Sequence, residues 1–252
     1  MNGKEKSQRI LALTCGFCVS IVVIFLFNIL PIPPEMAKFL VDRSVDKINL
    51  FSCQNAMWIL FFIGIADLFI RNMSANSEYE AMSLGLLPED ETTILNSSSL
   101  VFYYKKNKVT YEYRLSKIIN LVILQFQTTK SVDMSNDVMK TSLEFFSNEI
   151  EEKYTFLRYI VWAIPSFGFI GTVYGISMAL NTIKSMSIND PNLLSKTVSE
   201  LSVAFYTTLL ALLMSCLLVF FMGIIQSKEE RILNETGKYC LKNLINRLYL
   251  KQ

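Results

Sequence analysis

Three threonines are the residues best placed to do chemistry in this chain. Thr172 stands in "PSFGFIGTVYGISMAL" (165–180), and Thr207 and Thr208 stand in "AFYTTLLAL" (204–212). Neither stretch contains Asp, Glu, Lys, Arg or His. A hydroxyl can coordinate a small cation or order a water, but it cannot serve as a titrating proton carrier near neutral pH. On a helix, Gly168, Thr172, Gly175 and Ala179 follow a 4-3-4 spacing and share one stripe, with Gly171 beside it. Ala204, Thr208, Ala211 and Ser215 repeat that spacing, with Thr207 adjacent. Two readings follow. Small residues let membrane helices approach closely, and threonine can bond its own backbone carbonyls. Alternatively, the threonines line a polar path or face a partner helix.

Other chemistry is scarce. The chain has no histidine, which removes the commonest general base and metal ligand. Of five cysteines, Cys15 and Cys18 form a CxxC pair, but inside an apolar run where small packing residues are expected; no disulfide framework or metal site is implied. Asp67 lies four residues before Arg71, the spacing of an interfacial ion pair on a helix. Glu200 marks the start of an apolar run. No carboxylate is therefore expected near the middle of a span. If ions cross by a titrating or charge-paired step, the acid belongs to another chain. No nucleophile–base set is visible, so an enzyme is not expected.

The elements that must position these threonines are membrane spans. The 252 residues are 52% hydrophobic and 18% charged, too apolar for an ordinary soluble domain. Four segments reach the length needed to cross a bilayer, roughly 10–32, 50–70, 159–183 and 201–227. The first is read as a retained span, since its apolar run is too long for a cleaved signal peptide. Nineteen Lys and Arg lie in the N-terminus, the 71–158 segment and the tail after 227, against five in the loops 33–49 and 184–200. That bias predicts both termini and the middle segment to be cytoplasmic. Net charge is +2, so nucleic acid is not an expected partner.

The expected organisation is a membrane hairpin (1–70), a cytoplasmic helical domain (71–158), a channel-forming pair of spans (159–227) and a cytoplasmic tail (228–252). "LSKIINLVILQF" (115–126) has a broad apolar face, and 100–113 is read as helix despite a strand-like composition. A helix capped near Ser131 or Asp133 meets no breaker before Pro165, so it is expected to run into the third span. The fold expected is all-α: four transmembrane helices, a cytoplasmic helical domain between spans two and three, and a third span continuing into a long cytoplasmic helix.

"AIPSFGFIGTVYGI" (163–176) resembles the third-span signature of the MotA/TolQ/ExbB ion-channel family, A-P-x-x-G-x-x-G-T-V-x-G-I. "AFYTTLLAL" resembles its fourth-span signature, A-L-x-x-T-x-x-G-L, and the span order resembles the MotA branch. The resemblance implies a homopentamer in a bacterial inner membrane. The ring would surround a dimer of a MotB/TolR/ExbD-like single-span protein that carries a membrane aspartate. Thr172 and Thr208 would then face that acid, with Thr207 beside them in the ion pathway. Pro165 corresponds to the family proline and Gly168, Gly171 and Gly175 to its close-packing glycines. Ala179, Ala204, Ala211 and Ser215 would complete the surface packed on the partner helix. Ala211 stands where the family usually has glycine, and Val203 where the ExbB branch carries glutamate. Thr207 next to Thr208 resembles sodium-type stators, so the ion is left as H+ or Na+. No cofactor is expected. The alternatives are a membrane transporter, which would want alike halves with broken helices, or a structural membrane scaffold binding a cytoplasmic partner.

Overall fold

A computed structural model of the chain describes residues 3–30, 39–40, 52–90, 94–95, 97–108 and 113–248. Among the described residues these α-helices follow in order: α1 Gly3–Ile29, α2 Cys53–Met82, α3 Ser97–Lys108, α4 Arg114–Thr129, α5 Val132–Ser185 and α6 Leu193–Asn243, then a 3-10 turn at Ile245–Arg247. No strand occurs among the described residues. Helices α1, α2, α5 and α6 are each long and apolar enough to cross a membrane, and the fold is all-α as expected. The segment expected as the first loop (33–49) lies outside the described residues, apart from Phe39 and Leu40. So do the expected span ends at 31–32 and 50–51.

The local chemistry of the α4–α5 junction explains why the long helix starts where it does. Lys130 takes a left-handed backbone (φ 54°) and its N–H bonds to the Phe126 carbonyl at 2.9 Å, closing α4. Ser131 then accepts the Met134 N–H on its hydroxyl at 3.3 Å, an N-cap for α5. From Val132 the helix continues to Ser185 with Pro165 inside it. The region read as helix over 100–113 is helical through Lys108, and 109–112 lie outside the described residues.

By packing, the chain divides into two compact units: Met1–Ile70 with Phe156–Gly223, and Arg71–Thr155 with Ile224–Gln252. In the first, helices meet through small residues. A Cβ placed on Gly16 would sit 2.8 Å from the Phe62 carbonyl oxygen, so α1 touches the backbone of α2. Gly64 of α2 faces Leu218 and Ile160. Trp58 stacks on Phe62, packs against Phe27 and donates its indole N–H to the Leu40 carbonyl at 2.9 Å. Large apolar side chains such as Phe25, Phe169, Phe205 and Phe220 remain exposed. A soluble surface would not carry them in such numbers, whereas hydrocarbon accommodates them without cost.

The second unit has a water-type core. In α4, Leu115, Ile118, Ile119, Val122, Ile123 and Phe126 recur at three- and four-residue spacing and are all fully buried. Each contributes about 1.5–3 kcal/mol before entropy is counted. They pack with Leu86, Leu87, Leu95, Leu100, Met139 and Leu244. Polar ties hold the rim. Lys228 donates to the side-chain oxygens of Asn72 (2.8 Å) and Asn76. Arg71 donates to the Lys153 carbonyl at 2.7 Å and lies over the Tyr154 ring. Arg247 donates to the carbonyls of Pro88, Glu89 and Asp90.

Candidate functional site

The two stripes of small residues face each other across α5 and α6. A Cβ on Gly168 would lie 2.5 Å from Ala211 Cβ, one on Gly171 would lie 2.7 Å from Thr207 Oγ1, and one on Gly175 would lie 2.7 Å from Ala204 Cβ. No side chain fits at any of the three without parting the helices. The stripes are thus spent on close packing within the chain. Such contact suits a bilayer, where dispersion and hydrogen bonds, rather than water exclusion, hold helices together. Ala179, Ala204 and Ala211 are buried along the same seam.

Close approach brings the threonines together. Thr172 Oγ1 and Thr208 Oγ1 are hydrogen-bonded to each other. Thr208 also reaches the Gly168 carbonyl at 3.1 Å, and Thr172 the Ala204 carbonyl at 3.1 Å and the Gly168 carbonyl at 3.2 Å. Two hydroxyl protons serve this set. With Thr208 donating to Gly168, Thr172 donates either to Ala204 or to Thr208. Acceptor lone pairs are left over, and both side chains keep some exposure. Thr207 differs. It is buried, it fills the gap over Gly171, and its hydroxyl donates at 2.8 Å to the Ala204 carbonyl of its own helix.

Pro165, one turn before Gly168 on α5, lines a shallow groove with Arg158, Val161, Trp162, Ser166, Phe169 and Ile170. Proline has no N–H, so the carbonyl four residues back loses its helical partner. That carbonyl is Val161, and Ser215 of α6 donates its hydroxyl to it at 3.2 Å. Ser215, placed on the stripe by spacing alone, therefore repairs the backbone that Pro165 leaves open. The signal was legible only as a proline and a serine 50 residues apart.

Toward the α5–α6 turn the seam becomes polar again. Thr182, buried, donates to Glu200 Oε1 at 2.9 Å. Neither helix places a carboxylate between Glu200 and the threonine pair. Among the described residues no group of three His, Cys, Asp or Glu could hold a metal ion. The threonine pair thus sits in a charge-free stretch of the seam, its hydroxyls able to solvate an ion but not to bind a proton by titration.

Residues 111–237, half of the chain, match the family model of the MotA/TolQ/ExbB proton channel family. No curated protein and no solved structure matches the chain. The match spans α4, α5 and most of α6, and so includes the whole α5–α6 seam. With its four apolar helices and its paired threonines in a seam of small residues, the chain belongs to the MotA/TolQ/ExbB proton channel family.

Proposed function

We propose that the chain is the ring-forming subunit of an ion-driven rotary motor or energy-transducing channel. Five copies would surround a dimer of a MotB/TolR/ExbD-like single-span protein in a bacterial inner membrane, with both termini cytoplasmic. The observation that carries this reading is the Thr172–Thr208 pair, two hydroxyls brought together in a stretch of the seam without charge. A channel that moves H+ or Na+ needs a negative group near the ion, because an uncompensated charge in hydrocarbon is costly. This chain offers none at the pair, so the acid comes from the partner. The hydroxyls solvate the ion as that acid passes. Their residual exposure, in contrast to buried Thr207, supports Thr172 and Thr208 as the facing residues and leaves Thr207 a supporting one.

The test is ion flux in vesicles that hold the chain together with its partner. Thr172→Ala and Thr208→Ala should each abolish coupled H+ or Na+ flux without blocking assembly, whereas Thr208→Ser should retain it. Unchanged flux in the alanine variants would sink the assigned roles. Native mass spectrometry of the same complex should show five copies. A monomer or dimer in the presence of the partner refutes the ring.

A further inference from the structure

Glu200 is the one carboxylate on the α5–α6 seam, and only half of it is satisfied. Oε1 receives the Thr182 hydroxyl at 2.9 Å. Oε2 is buried and has no hydrogen-bond partner among the described residues. No lysine or arginine pairs with it among those residues either. One helical turn earlier, Thr197 Oγ1 is likewise buried without a partner. Residues three apart lie on one face of a helix, so Thr197 and Glu200 share a face of α6. They do not bond to each other. Buried polar atoms in a native protein are nearly always satisfied, and two orphans one helical turn apart call for an explanation.

We propose that Glu200, Thr197 and Thr182 form a binding site for a monovalent cation, sodium by chemistry, at the turn end of the seam. A cation between Oε2 and Thr197 Oγ1 satisfies both oxygens at once. A proton on Oε2 would serve that oxygen alone and leave Thr197 as it is. Hydroxyl and carboxylate oxygens are hard donors of the kind alkali and alkaline-earth ions prefer. One carboxylate against one positive charge leaves the site neutral, which an apolar span favours; a divalent ion would leave excess charge. Thr182, bonded to Oε1, leaves Oε2 as the oxygen open to an ion.

The site lies eight residues from Thr208 along α6, about 12 Å at 1.5 Å per residue. Gly175 packed on Ala204, with buried Ala179, closes the seam between the two. Resting on the channel reading above, the site holds an ion of the transported kind at the turn end of this chain, apart from the threonine pair.

The experiment uses the full chain, purified without its partner in lipid nanodiscs. Thermal unfolding is followed in NaCl and in equimolar N-methyl-D-glucamine chloride, whose cation is too large for the site. Sodium at about ten times its dissociation constant should raise the wild-type midpoint by about 3 °C. Glu200→Gln should abolish that shift. Thr197→Val, isosteric and safe for folding, should require about tenfold more sodium for the same shift. No sodium-specific shift in the wild type overturns the site, as does a shift that survives both substitutions. A protonated-carboxyl infrared band that disappears in Glu200→Gln, with no sodium response, also overturns it, by showing that a proton occupies the position. Because the assay needs no partner, its failure is distinct from that of the motor reading, which stands or falls on Thr208-dependent flux.

Discussion

Pro165 and Ser215 are sharply coupled in this structure, and a double-mutant cycle measures the coupling. Ser215→Ala removes the donor that serves the Val161 carbonyl at 3.2 Å. Pro165 supplies no N–H in its place, so the carbonyl is left bare. Side-chain hydrogen bonds between membrane helices average about 0.6 kcal/mol and reach about 1.7. An orphaned acceptor lies at the upper end, so about 1–1.7 kcal/mol is expected for the single change. In a Pro165→Ala background the residue-165 N–H returns to Val161, and the same serine deletion should cost near zero. The coupling energy is then about 1 kcal/mol, about a fivefold change in the folding equilibrium. The assay is equilibrium unfolding in mixed micelles of wild type, the two single variants and the double variant. The cycle cancels the helix propensity that alanine gains over proline, since that term appears on both sides. A coupling below about 0.3 kcal/mol, the usual scatter of additive pairs, refutes the repair.

Two further perturbations follow from packing. Gly175→Val should destabilise the first unit by about 1–3 kcal/mol, because its Cβ would fall 2.7 Å from Ala204 Cβ and 3.0 Å from Ala204 Cα. Gly223→Ala, with nothing within 4 Å, should be neutral or stabilising by up to about 1 kcal/mol; equal effects of the two in the same unfolding assay would show that the seam is not tight. Cys240, fully buried in the second unit, has its thiol pushed up to about 12 by burial. At pH 8 its thiolate is on the order of one part in ten thousand, so N-ethylmaleimide should label it only after unfolding. Native-state labelling of Cys240 at its unfolded-state rate would contradict the buried placement.

Much of the fold was legible because helices announce themselves locally. The α4 face repeats at three and four residues, and Ser131 stands where a cap should. Pro165 could have been taken for a stop, yet it is carried through α5 because Ser215 satisfies the carbonyl it frees. The 97–108 segment was harder. Its aromatic and β-branched residues favour strand, and its helical state is decided by tertiary contacts such as those of buried Leu100. The site divides along the same line. That Thr172 and Thr208 share stripes with small residues follows from spacing. That those stripes meet each other, with Thr207 plugging the gap over Gly171, depends on how two helices dock.

Spacing and composition alone determined that this chain has four segments long and apolar enough to cross a membrane, with no acid in 159–183 or 201–227. Those are properties of runs, visible without knowing which residue touches which. Only the tertiary structure decided what the uncharged polar atoms do. It joined Thr172 to Thr208, gave Ser215 to the carbonyl that Pro165 freed, and left Glu200 Oε2 and Thr197 Oγ1 buried without partners among the described residues. Hydrogen bonding acts over about 3 Å, and whether two residues dozens of positions apart come that close is settled by packing, which no single run encodes.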